Sequence, residues 1–145
     1  VDCLGCNLAN KLEQAYVVLE DNYVCCFLDH DPYNEGHILI LPKNHIRYYD
    51  ELDDNTANSI MKSAKIITKV MKELYKPDGI TICQNGGIFD ELTHFHMHVV
   101  PRYEEQNFAE FFTEKAEKIA VSGNSLSTTR RNIIEAINSL YKFSS

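Results

Sequence analysis

Positive charge is in short supply in this chain. Its 145 residues carry 14 Lys and Arg against 21 Asp and Glu, a formal charge of −7 with a pI near 5.3. Nucleic-acid backbones and anionic membrane surfaces need clustered Lys and Arg, so neither is expected as a partner. Small anionic ligands stay open, because one local site can oppose the net charge. Long apolar runs are also lacking: none approaches the roughly 18–20 residues of a membrane helix. The opening Val1-Asp2-Cys3-Leu4-Gly5-Cys6 has neither the basic nor the apolar region of a secretion signal. Six Gly and four Pro exclude a collagen-like or low-complexity chain. Five cysteines (Cys3, Cys6, Cys25, Cys26 and Cys83) make an odd set at irregular spacing. That argues against a disulfide framework and for a reducing compartment, so cytoplasmic is the expectation.

What remains is ordinary globular composition, 44% hydrophobic and 24% charged. A chain of this length buries about 70% of its unfolded surface and suits one domain with a short appendage. Tyr16–Leu19 and Tyr23–Leu28 are β-rich runs around Glu20-Asp21-Asn22, which reads as a hairpin. A turn-rich loop from His30 to Gly36 leads to a short strand, His37–Leu41, stopped by Pro42. Ile60, Ala64, Ile67, Met71 and Leu74 recur at steps of three and four, one face of a helix from Asp54 to Tyr75 with Asp53 or Asp54 as cap. Strands are expected again at Ile80–Gln84 and Thr93–Val100, separated by the loop Asn85-Gly86-Gly87. The order predicts an α+β fold, an antiparallel sheet with one long covering helix. Residues 1–112 are read as the main domain. Residues 113–145 are read as a C-terminal helical extension, with a linker at 121–127 and an amphipathic helix through Ile133, Ile137 and Tyr141.

The most informative stretch is Thr93-His94-Phe95-His96-Met97-His98-Val99-Val100-Pro101-Arg102, which holds half of the six histidines. On a strand His94, His96 and His98 would share one face. Three readings follow from the residues alone: a polar face, a metal site using two or three imidazoles, or a nucleophilic histidine with supporting neighbours. Cys3-x-x-Cys6 by itself fits a redox pair or two unrelated thiols. Cys25 and Cys26 are read as packing residues, and Cys83 as core.

His94-x-His96-x-His98 followed by Pro101-Arg102 resembles the histidine triad (HIT) family of nucleotide hydrolases and transferases. The upstream landmarks agree in order: Cys3-x-x-Cys6, Phe27-Leu28-Asp29-x-x-Pro32, Gly36-His37-Ile38-Leu39-Ile40-Leu41-Pro42-Lys43-Asn44-His45, and Gln84-Asn85-x-Gly87. The resemblance implies a HIT-like fold, a homodimer, and attack on the α-phosphorus of a purine nucleotide conjugate. It implies His96 as nucleophile, forming a nucleotidyl-histidine intermediate, and a protonated His98 holding phosphate or helping the leaving group. Asp29, whose position holds the ribose hydroxyls, His37 and Asn85 complete the implied nucleotide site. Cys3, Cys6, His45 and His94 match the superfamily's structural zinc set, one ion per chain, which would tether residues 1–12.

One departure stands out. Relatives usually place a Gly-Gln pair, often with a Ser, ahead of the triad, where this chain has Phe89-Asp90-Glu91-Leu92. Asp90 and Glu91 are expected to point outward, because an ionised carboxylate facing phosphate would oppose binding. Two alternatives accompany the enzyme reading: a hydrolase with catalytic zinc on His94, His96 and His98, and a nucleotide-binding regulatory module with little turnover.

Overall fold

The computed structural model describes residues 3–113 and 123–141. Five strands, β1 (Val17–Glu20), β2 (Val24–Leu28), β3 (Ile38–Pro42), β4 (Gly79–Gln84) and β5 (Met97–Arg102), form one antiparallel sheet in the order β1-β2-β3-β5-β4. The helices are α1 (Leu4–Ala9), α2 (Asp54–Tyr75) and α3 (Gly123–Tyr141). The expected α+β architecture is therefore present. Among the described residues no helix is long and apolar enough to cross a membrane.

Alternation along β2 and β3 divides the sheet into two faces. Cys26, Leu28, Ile38 and Ile40 turn to the face covered by α2 and α3, where Ile60, Ile67, Met71, Ile133 and Ile137 close the main core. Cys25, Phe27 and Leu41 turn to the other face and pack against Ala9 of α1. Asp53 caps α2 by accepting from the Thr56 N–H, and Lys76 ends it in the left-handed region at φ 45°. Both cysteines of β2 are fully buried, as expected of packing residues.

Two prolines sit inside strands that were expected to stop before them. Pro42 pairs with β2, but β3 meets β5 only from Ile38 to Ile40; Pro101 pairs with β4, but β5 meets β3 only from Met97 to Val99. Each proline thus lies where its missing N–H faces no second ladder.

Three expectations need correction. The triad strand begins at Met97, so His94, Phe95 and His96 precede it in irregular backbone, with Thr93 at φ 58°. Cys83 is half-buried and lines a cleft instead of the core. Of the linker expected at 121–127, residues 121–122 lie outside the described residues. From 123 onward the chain is already α3, with Leu126 buried.

Candidate functional site

His98, on β5, is the register partner of both Leu39 on β3 and Cys83 on β4. Its side chain therefore stands at the centre of the face that α2 and α3 leave uncovered. His37 directly precedes β3 and is buried there. Its Nδ1 accepts the Tyr33 backbone N–H at 3.0 Å, so the ring proton of neutral His37 sits on Nε2. That Nε2 lies 2.9 Å from His98 Nδ1 and 3.6 Å from an Asp29 carboxylate oxygen. His98 Nδ1 must then accept, which leaves His98 with its own proton on Nε2. The chain Tyr33 N–H, His37, His98 is directional and delivers an N–H donor to the cleft.

His96 takes the complementary state. Its Nδ1 lies 2.9 Å from the His94 carbonyl oxygen, which can only accept, so Nδ1 holds the proton and Nε2 carries the lone pair. The rings of His96 and His98 are edge to face, with centroids 5.1 Å apart. One imidazole presents a lone pair and its neighbour presents an N–H.

His94 differs from both. It is fully buried, and its Nε2 donates to the Pro42 carbonyl at 2.8 Å, the free acceptor at the end of β3. Burial pushes its pKa below the ordinary imidazole range, against the pull of that hydrogen bond. Its Nδ1 therefore faces Cys3 Sγ and Cys6 Sγ, each at 3.5 Å, while His45 Nδ1 lies 3.4 Å from Cys6 Sγ. Zn–S bonds near 2.3 Å and Zn–N bonds near 2.0–2.1 Å in a tetrahedron place S and N about 3.5 Å apart. The two thiols and two imidazoles thus have the donor types and spacing of a tetrahedral zinc centre. Without a metal, burial and the neighbouring Cys3 push the Cys6 thiol up to about 11. Helix α1 supplies both thiols from one turn, with Cys3 Sγ capping it by accepting the Cys6 N–H.

A second group, Asp29, His37 and His98, also has ligand atoms within 4.8 Å of one another. There the Nε2 proton of His37 occupies the direction a cation would need, so this cluster reads as a hydrogen-bond relay. His96 belongs to neither group.

The cleft in front of His37 and His98 measures about 550 Å³ and is lined also by Asp29, Asn85 and Glu91, with the exposed Ile88, Phe89 and Phe112 at its rim. Asp29 also accepts the Asp31 N–H at 2.9 Å, which fixes the loop after β2. Asn34 and Gln106 exchange amide hydrogen bonds at 2.9 Å, tying that loop to the segment after β5. Arg102 donates to the Phe108 carbonyl at 2.8 Å and lies over the Phe111 ring. Phe111 in turn packs against His37 and His98. In the sequence Arg102 stands out only as part of a motif, and nothing in the pattern marks Phe111.

Asp90 and Glu91 part company. Glu91 is exposed yet lines the cleft beside Asn85 and His98, whereas Asp90 is buried. Its Oδ1 accepts the N–H groups of Leu92 and Thr93 at 3.0 and 3.1 Å and lies 3.7 Å from His96 Nδ1. The expectation that both carboxylates point outward is wrong for Asp90, because those two donors pull its side chain inward.

A family profile described as the HIT domain matches residues 10–105. An uncharacterised HIT-like protein of Methanocaldococcus jannaschii is 39% identical over 104 residues, 70% of this chain and 80% of that protein. Adenosine 5′-monophosphoramidase of Saccharomyces cerevisiae is 31% identical over 107 residues, 72% of this chain and 65% of that protein. A zinc-bound histidine triad family protein from Mycobacterium smegmatis superposes with a TM-score of 0.79 at 23% identity, covering 99% and 98% of the two chains. That last likeness is one of fold.

Proposed function

This chain belongs to the HIT domain family, and on that premise we propose that it is a zinc-bearing nucleotide hydrolase acting at the α-phosphorus of purine nucleotide conjugates. One observation carries the reading: adjacent imidazoles in complementary states, a lone pair on His96 Nε2 beside an N–H on His98 Nε2. His96 Nε2 attacks phosphorus, and the bond to the leaving group breaks with its electron pair. The leaving group takes a proton from solvent while His98 Nε2–H donates a hydrogen bond to it or to a phosphate oxygen. Water then attacks the nucleotidyl-imidazole, a proton returns to solvent, and the P–N electron pair returns to His96. Two displacements at a good neutral nucleophile replace one difficult step. Asp29 holds the ribose hydroxyls, Asn85 donates to phosphate without adding charge, and His37 fixes the His98 tautomer. The yeast relative's named activity makes a nucleoside phosphoramidate the first substrate to try.

Cys3, Cys6, His45 and His94 are the residues that would hold zinc, one ion per chain. A closed four-ligand site supplies folding energy to α1 and no open position for substrate. A second reading, zinc-dependent hydrolysis, is supported by the metal-ready donors Cys3, Cys6, His45 and His94; a ligand set of His94, His96 and His98 is not brought together, since His94 Nδ1 faces the thiols and His96 joins neither group. The chain is further proposed to form a homodimer through β4. It is proposed to reside in the cytoplasm, in keeping with its five unpaired thiols.

The test is turnover of adenosine 5′-phosphoramidate. His96→Ala is expected to lose several orders of magnitude in kcat while nucleotide binding survives. His98→Ala is expected to lose roughly 10²–10⁴-fold, the scale of a lost proton-bearing partner. Near-wild-type turnover by pure His96→Ala protein would end the covalent reading. Loss of activity on chelation with the fold intact would favour catalytic zinc.

A further inference from the structure

Asp90 is buried (6% exposed), with a side chain wholly withdrawn from solvent. Its Oδ1 accepts two backbone N–H groups, which accounts for its inward direction. Its Oδ2 is buried with no hydrogen-bond partner. A loop anchor needs only one oxygen, and a second one buried unpaired is costly. The nearest ring nitrogen is His96 Nδ1, 3.7 Å from Oδ1 and too far for a hydrogen bond, since its proton goes to the His94 carbonyl at 2.9 Å. The carboxylate therefore stands beside the Nδ1 edge of His96 and reaches the ring through charge alone.

We propose that Asp90 is a positioning residue for the reacting imidazole, a buried counter-charge that favours the nucleotidylated form of His96. When Nε2 bonds phosphorus and the leaving group departs with its electron pair, Nδ1 keeps its proton and the ring becomes cationic. When water displaces the ring, the electron pair returns to Nε2 and the positive charge disappears. A fixed negative charge next to Nδ1, itself withdrawn from water, stabilises the cationic state more than the neutral one. Phosphate binds at the opposite edge of the ring, so Asp90 is nearer the charge it stabilises than the charge it repels. The proposal rests on His96 being the nucleophile.

Asp90→Asn removes the charge and keeps an oxygen that can accept from Leu92 and Thr93. Asp90→Ser likewise keeps one acceptor and serves if the first variant is unstable. The full chain is mixed with adenosine 5′-phosphoramidate and quenched on the millisecond scale. The rate of nucleotidylation, kcat, KM and melting temperature are then measured. The expected result is a fall of tenfold or more in nucleotidylation rate and kcat, with KM changed less than threefold and melting temperature nearly unchanged. A purely structural role would move melting temperature and leave that split absent. Wild-type rates in the uncharged variants would overturn the proposal and reduce Asp90 to a loop anchor. A tenfold gain in kcat/KM would also overturn it. It would show a carboxylate facing phosphate and a native chain suited to regulated binding more than to turnover. His96→Ala, run in parallel, separates the two failures. If it still turns over, the covalent reading fails; if it is dead while Asp90→Asn is wild-type, only the role of Asp90 fails.

Discussion

Gly5 stands against His94 where no side chain fits. A Cβ there would lie 2.4 Å from His94 Cβ and Cγ, so α1 can bring its two thiols to His94 only with glycine at this position. Gly5→Ala should displace the helix and destabilise the chain by about 1–3 kcal/mol, the scale of overpacking. Cys6→Ser removes a ligand outright. The wild type is expected to carry close to one zinc per chain and both variants less, and Cys6→Ser should lower melting temperature more than turnover. Metal analysis and thermal melts on the same samples check this. Full activity loss with an unchanged melt would contradict it. Cys3-x-x-Cys6 was legible in the sequence as a ligand pair through family resemblance. Gly5 was not, because its necessity arises from the approach of a residue 89 positions away.

The elements divide by what sequence periodicity can record. Helix α2 and the hairpin strands were read to within about one residue, since a 22-residue apolar stripe and β-rich runs around polar turns are local signals. Helix α1 was not read, because six residues capped by a thiol carry no period. The alternation His94, His96, His98 suggested one continuous strand. Thr93 at positive φ and the His94 Nε2 bond to Pro42 instead turn His94 away from its neighbours. A period of two cannot show where a strand begins. The inward turn of Asp90 depends on two N–H donors of its own loop, again invisible in the pattern.

One tie between elements has a pH signature. Asp21, in the β1–β2 turn, accepts from Ser59 on α2 and from the Tyr23 and Val24 N–H groups. Burial opposes its ionisation, but those bonds outweigh burial and hold its pKa below the ordinary carboxylate range. A depressed folded pKa gives stability that is full above the unfolded value, about 3.9, and is lost as pH falls through the folded one. Asp21→Asn should therefore melt below the wild type at pH 7, and the gap should close below about pH 4. A gap independent of pH would show that the charge is not what Asp21 contributes.

Across the whole molecule the two sheet edges are treated differently. At β1, Arg130 of α3 donates to the Val17 carbonyl at 2.7 Å and covers the edge. At the other end β4 is the edge strand, with Ile82 and Met61 exposed beside it and an apolar groove running to Tyr49 and Met97. A second copy pairing along β4 would cover that backbone edge and groove together. Ile82→Lys is expected to shift the protein from dimer to monomer in light scattering, and an unchanged mass would reject this interface. The central claim, a covalent bond between phosphorus and His96, is tested most directly by intact mass. The chain is mixed with adenosine 5′-phosphoramidate, quenched in alkaline denaturant and weighed. The account predicts one added nucleoside monophosphate per chain, mapping to the peptide that contains His96, absent from His96→Ala and unaffected by chelation. Turnover without that adduct, lost on metal removal, would contradict it.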